Sequence, residues 1–148
     1  MRLEQDLEAF GSLFVDTAPV IYYIEGHPAY GPITRTVFEH FVNNGVRPYS
    51  SVLMLTEVLV KPVQVDDVAL TRLFSNFIRS GHNFRLIDIS PDIAEIAGYL
   101  RGNHQFLKTI DALQIASAIH VKAEVFVTND EKLRKIPGLK IMVLKDYL

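Results

Sequence analysis

Cysteine is missing from this sequence altogether, which removes disulfide scaffolds, thiolate zinc sites and cysteine nucleophiles together. No apolar run approaches the roughly 20 residues needed to span a bilayer. The opening stretch, Met1-Arg2-Leu3-Glu4-Gln5-Asp6-Leu7-Glu8, carries acids where a signal peptide would carry positive charge followed by an apolar segment. Short-spaced histidine pairs are absent too: His27, His40, His82, His104 and His120 stand apart, so each reads as a surface or packing residue rather than a zinc ligand. Nor is there an excess of one charge. Lys and Arg number 15 against 17 Asp and Glu, a formal net charge of −2, which excludes a strongly basic nucleic-acid-coating protein while leaving a local basic patch open. What remains is 148 residues, 49% hydrophobic and 22% charged, without linker, repeat or low-complexity tract. That is the size of one ordinary domain with enough apolar material for a packed core. The expectation is a soluble, intracellular, single-domain protein.

Periodicity supplies the elements. Leu3, Leu7 and Phe10 fall at i, i+4 and i+7, so residues 1–12 read as an N-terminal extension with a short helix lying against the body. Leu13-Phe14-Val15 is a buried strand ending in Asp16. Pro19 is placed to open a helix that closes at Gly26. Val37, Phe38, Phe41 and Val42 form an apolar helical face stopping near Asn43-Asn44-Gly45. A short strand at Arg47-Pro48-Tyr49-Ser50-Ser51 leads into Val52 to Val60, which lacks alternation and reads as a mostly buried helix ending before Pro62. Asp66 or Asp67 caps a helix bearing Leu70, Leu73, Phe74, Phe77 and Ile78. Phe84 to Ile89 is a strand, and Ser90-Pro91 opens a helix through Ile93, Ile96, Ala97 and Leu100. Ile110 to Val121 is an alanine-rich helix. Val125-Phe126-Val127 is a further strand, followed by Thr128-Asn129-Asp130 and a brief helix, and Ile141 to Leu144 is the last strand. Helices between nearly all the strands, and strands apolar on both faces, imply a parallel sheet covered on both sides: a three-layer α/β/α fold with a central parallel sheet over residues 13–148.

In such a sheet, ligands bind beyond the carboxyl ends of the strands. Asp16 ends the first strand and Asp130 follows Val125-Phe126-Val127, so both project at the same edge. Glu57 interrupts an apolar helix, and Asp111 lies in the first turn of another. Each acid has a plain structural alternative. Asp16 and Asp130 fit helix caps, Asp111 suits the positive end of a helix dipole, and Glu57 fits an ion pair with an arginine or lysine. Several carboxylates converging on one edge would repel one another and raise one another's pKa values, a cluster that a divalent cation relieves. Oxygen donors select hard cations such as Mg²⁺ or Mn²⁺.

Phe14-Val15-Asp16-Thr17, the Thr56-Glu57 helix, Thr109-Ile110-Asp111-Ala112-Leu113-Gln114-Ile115-Ala116 and Val127-Thr128-Asn129-Asp130 come in an order that resembles the PIN-domain ribonucleases. The likeness is greatest to the small bacterial and archaeal members that include the VapC-type toxins, and it covers the chain from about Leu13 onward. The stretch before Leu13 departs from it, since compact relatives begin close to the first strand. Carried over position by position, the resemblance implies an acidic quartet of Asp16, Glu57, Asp111 and Asp130. Thr128 matches a hydroxyl that orients the acids in relatives, and Asn129 is polar beside it.

What the resemblance implies is divalent-metal-dependent hydrolysis of RNA in the cytoplasm, with one or two Mg²⁺ or Mn²⁺ ions held chiefly by Asp16 and Asp111 and completed by Glu57 and Asp130. It further implies an RNA substrate, a small antitoxin protein as partner, a homodimer and no membrane. The alternative is a catalytically inactive PIN-fold module that binds RNA or a partner. A phosphotransfer reading fits less well, because Asp16-Thr17-Ala18 lacks the second acid that haloacid-dehalogenase-type phosphatases place two residues on, and a dinucleotide-binding reading fails because no GxGxxG motif follows any strand. Around the quartet, Lys132, Arg134 and Lys135 are candidates for phosphate contacts. Tyr22, Tyr23 and Tyr30 are candidates for base stacking or for the core.

Overall fold

The computed structural model describes residues 2–148. Five strands form one sheet: β1 (Leu13–Val15), β2 (Tyr49–Ser51), β3 (Arg85–Ile87), β4 (Val125–Thr128) and β5 (Lys140–Val143). Their order is β3-β2-β1-β4-β5 and every pairing is parallel. Between them run α2 (Thr17–Glu25), α3 (Gly31–Asn43), α4 (Val52–Gln64), α5 (Val68–Arg79), α6 (Pro91–Asn103) and α7 (Thr109–His120), while α1 (Arg2–Leu7) precedes the sheet. Two 3-10 turns, Glu131–Lys135 and Leu144–Tyr147, flank β5.

Successive residues of a strand face opposite sides of the sheet, and this alternation divides the core. Leu13, Val15, Val125 and Val127 meet α1 to α5 on one face, together with Leu3, Leu7, Val20, Val37, Phe41, Met54, Val58, Phe74 and Ile78. Phe14 and Phe126 point the other way, stacked on each other, into the layer made by α6 and α7. Hence the three-layer α/β/α arrangement expected from the sequence. Leu3 and Leu7 are fully enclosed, so the N-terminal helix belongs to the larger of the two cores.

Local signals placed most elements, and packing altered the details of several. Asp16, not Pro19, begins the first crossover helix: Pro19 is the third residue of α2, and Gly26, at φ +66°, closes it as a left-handed cap. Helix α4 does not end before Pro62 but continues through it to Gln64. It buries only Met54, Val58 and Pro62, and leaves Val60 and Val63 exposed. Proline lacks an N–H and its ring crowds the carbonyl four residues back, so at Pro62 the helix forgoes the bond to Val58 and stops two residues on, at Gln64. Val42 and Leu73, counted with apolar faces from spacing, turn to solvent. The expectation of strands apolar on both faces holds for β1 and β4, which are wholly buried. It fails for β2, whose Ser50 donates its hydroxyl to the Val15 carbonyl (2.9 Å), and for edge strand β3, where Arg85 is exposed. Among the described residues no helix is long and apolar enough to cross a membrane.

After β1 the chain builds outward through β2 and β3, then crosses back to lay β4 on the other side of β1. The carboxyl ends of β1 and β4 therefore flank the point where strand order reverses, which is where open α/β sheets form their ligand crevices.

Candidate active site

Asp16 leaves β1 still tied to the sheet, its backbone N–H donating to the Val127 carbonyl at 2.9 Å. Its Oδ1 accepts the Thr17 N–H (2.8 Å), so the carboxylate does cap α2, as the structural reading of this residue allowed. Its Oδ2 accepts the hydroxyl of Thr128 at the end of β4 (2.8 Å). That same hydroxyl oxygen accepts the N–H of Asp130 (3.1 Å), fixing the turn that presents Asp130. Thr128 is fully buried, so its hydroxyl has two fixed partners and joins the acids following adjacent strands. Asp130 in turn caps the 3-10 turn by accepting the Lys132 N–H (3.0 Å).

Glu57 arrives from α4 on one face of the sheet. Its Oε1 accepts the Thr17 hydroxyl (2.6 Å) and the Gln114 amide (3.2 Å). Asp111 arrives from the first turn of α7 on the opposite face. One helical turn along α7, Gln114 donates from Nε2 to Asp16 Oδ1 (3.2 Å) and Thr17 Oγ1 (3.0 Å) as well. All four candidate acids are thus gathered around the carboxyl ends of β1 and β4.

Electrostatics records their proximity. Burial pushes the Asp16 carboxyl up to about 6, against the pull of the Thr128 hydroxyl and the Thr17 N–H, with the charges of Asp111 and Glu57 adding to the rise. Asp111 is also raised, by burial and then by the charges of Asp130 and Glu57, while Lys108 and Lys132 partly offset them. Among the described residues none of the four acids has an ion-pair partner. The ion pair that offered Glu57 a purely structural role is not formed.

Among the described residues no three acidic, histidine or cysteine side chains are drawn to a single point. The acids instead ring the sheet edge: Asp16, Glu57 and Asp130 are held by hydroxyl, amide and backbone donors, and Asp111 is coupled to them through charge. A donor set of carboxylate and hydroxyl oxygens, with no fixed cation in contact, suits a hard divalent ion better than a metal that prefers sulfur or imidazole.

The remaining candidates separate. Asn129 does not join the acids: its Oδ1 accepts the Lys145 N–H (3.0 Å) and its Nδ2 reaches the Tyr22 hydroxyl (3.4 Å), which secures the segment after β4. Arg134 is committed to ion pairs with Asp146 and Glu131, and Lys135 lies over the Phe106 ring, so Lys132 is the member of that basic run whose charge bears on Asp111. Tyr23 packs against Phe38 and Phe77 in the core, whereas Tyr22 stacks on Tyr30. Sequence reasoning missed Thr17 and Gln114 as members of the site. A signal for Gln114 existed: it is a polar residue one turn after Asp111, set among the apolar Ala112, Ile115 and Ala116.

The chain has known relatives in sequence and in fold. Residues 13–139 match the PIN domain family model. The chain is 27% identical over 130 residues to ribonuclease VapC19 of Mycobacterium tuberculosis, covering 85% of this chain and 95% of that protein. Among solved structures it is similar to a toxin-antitoxin complex from Klebsiella pneumoniae (TM-score 0.66, 24% identity, 90% of this chain and 97% of that one). It is also similar to VapBC2 from Rickettsia felis bound to a promoter DNA fragment (TM-score 0.64, 20% identity, 88% and 97%). DNA-bound VapBC from Salmonella typhimurium gives a TM-score of 0.66 at 19% identity, over 90% and 98% of the two chains.

Proposed function

This chain belongs to the PIN-domain family, and on that footing we propose that it is a divalent-metal-dependent endoribonuclease, the toxin of a toxin–antitoxin pair. The observation that carries the reading is the gathering of Asp16, Glu57, Asp111 and Asp130 at one sheet edge, with Asp16 and Asp111 raised and no lysine or arginine paired to any of them among the described residues. Such a concentration of like charge is costly on its own and favourable around a cation. The similarity to a ribonuclease VapC supports RNA as substrate, and the similarity to toxin–antitoxin complexes supports a small antitoxin as partner.

Mg²⁺ or Mn²⁺, when bound, supplies Lewis acidity and positive charge for the phosphodiester. Asp16 and Asp111 are the principal ligands in this reading, with Glu57 and Asp130 completing the set. Thr128 orients Asp16 through its proton and Asp130 through its lone pair. In this reading Lys108 and Lys132, whose charges act on Asp111, meet the phosphate backbone.

The test is cleavage of a folded RNA hairpin, a single-stranded RNA and DNA of the same sequence, each with Mn²⁺, with Mg²⁺ and with EDTA. RNA cleavage that requires the cation and falls to background in Asp111→Asn is the expected result. Metal-independent binding of RNA without cleavage overturns the enzyme reading in favour of a binding module, and cleavage that survives Asp111→Asn overturns the site.

A further inference from the structure

Gln114 occupies the centre of the site without carrying a charge. It is 1% exposed, and its single nitrogen faces three acceptors: Asp16 Oδ1 at 3.2 Å, Thr17 Oγ1 at 3.0 Å and Glu57 Oε1 at 3.2 Å. Two amide protons are thus shared among three oxygens. Thr17 has already given its own proton to Glu57 Oε1 (2.6 Å), so it can meet Gln114 only as an acceptor. These contacts leave one orientation for the amide. Turned over, it would set its oxygen against two carboxylate oxygens and a hydroxyl lone pair.

The orientation has a cost that is visible elsewhere. Gln114 Oε1 is buried with no hydrogen-bond partner. Buried acceptors are rarely left unmade, and those that persist call for an explanation. Here the acids provide one, because only this orientation offers them a donor. The contacts also span the fold. Asp16 lies on the sheet edge, Glu57 comes from α4 on one face and Gln114 from α7 on the other.

We infer that Gln114 is a positioning residue whose neutral amide, working with the Thr17 hydroxyl, draws Asp16 and Glu57 together while leaving their negative charge for the cation. This rests on the metal-dependent reading above. Neutrality is the essential point. A lysine or arginine at this place would hold the same two oxygens but would compensate the charge that recruits a divalent ion. An apolar residue would leave the ion its charge and release the geometry.

Two variants separate these roles. Gln114→Leu removes the donor at similar volume, and Gln114→Lys keeps a donor at similar reach while adding a positive charge. Mn²⁺ binding is read from the free-ion electron paramagnetic resonance signal, with no RNA present. Gln114→Leu is expected to weaken Mn²⁺ binding by ~10–100-fold, the usual effect of losing a partner that orients a ligand, and Gln114→Lys to weaken it at least as much. The second readout needs no metal. In metal-free crystals the Glu57 carboxylate is expected to move away from Asp16 in Gln114→Leu and to stay in place in Gln114→Lys.

Wild-type Mn²⁺ affinity in either variant overturns the inference, as does an unmoved Glu57 in Gln114→Leu. Should one variant fail to fold by circular dichroism, the other decides. If the wild-type protein itself binds no Mn²⁺, the metal-dependent reading falls, and the crystals still decide whether Gln114 positions the two acids.

Discussion

Replacing Asp16 with asparagine should make the metal-free protein more stable near neutral pH while removing its proposed activity. In the folded protein the Asp16 carboxyl is raised from an ordinary 3.8 to about 6, first of all by burial. Between those two values the folded state holds a proton that the unfolded chain has released, so stability falls as pH rises through this window. Above about pH 6 the group is charged in both states and the penalty is complete. The gap is worth about 3 kcal/mol at about 1.4 kcal/mol per pH unit. Asparagine avoids the charge but disturbs the Thr128 contact, at a cost of about 1 kcal/mol. The net gain near pH 7.5 is then about 2 kcal/mol, or roughly 4–8 °C for a chain of this size. The assay is thermal unfolding of both proteins in EDTA from pH 4.5 to 8. The curves should lie close together at the acid end and separate as pH rises, wild type falling below the variant. Mn²⁺ at 100 times its Kd should return about 2.7 kcal/mol to the wild type alone. Parallel pH profiles would refute the claim that burial of this carboxylate is a cost borne by the fold.

Two further outcomes test the surroundings. Thr128→Val removes a buried hydroxyl that donates to Asp16 and accepts from the Asp130 N–H, and it is expected to cost about 1.5–3 kcal/mol in urea unfolding at pH 7.5; an unchanged midpoint would mean that the hydroxyl orients neither acid. Leu7→Ala should cost about 2–5 kcal/mol in the same assay, because Leu7 is fully enclosed in the larger core; a negligible change would show that the helix before β1 is an appendage.

Much of this molecule is legible along the chain, and what is not has identifiable causes. Asp16 stands out because apolar strand residues run straight into it, and Asp130 because it follows the apolar Val125-Phe126-Val127 with only Thr128 and Asn129 between; strand direction then sends both to one edge. Ser90-Pro91 announces α6 through local chemistry that the structure repeats, with the Ser90 hydroxyl accepting the Ile93 N–H. Signals fail where the deciding partner is remote. Gln114 meets Asp16 from 98 residues away and Glu57 from 57, distances over which periodicity carries no information. Arg134 looks available until Asp146, beyond β5, comes back to pair with it. Helix α4 runs two residues past Pro62, which is itself buried in the packed layer, an outcome of tertiary packing that the local preference against proline in a helix does not carry. The placement of β1 at the middle of the sheet is likewise a property of the assembled layers and not of any segment.

That assembly has a consequence for how the protein comes into being. Glu57 is delivered by the layer on one side of the sheet, Asp111 and Gln114 by the layer on the other, and Asp16 and Asp130 follow its central strands. A chain with either layer of helices undocked would lack Glu57 on one side or Asp111 and Gln114 on the other, and with them part of the proposed ligand set. On the proposed reading, cation uptake would register the arrival of the last layer, and a nascent or thermally loosened molecule would lack the complete site.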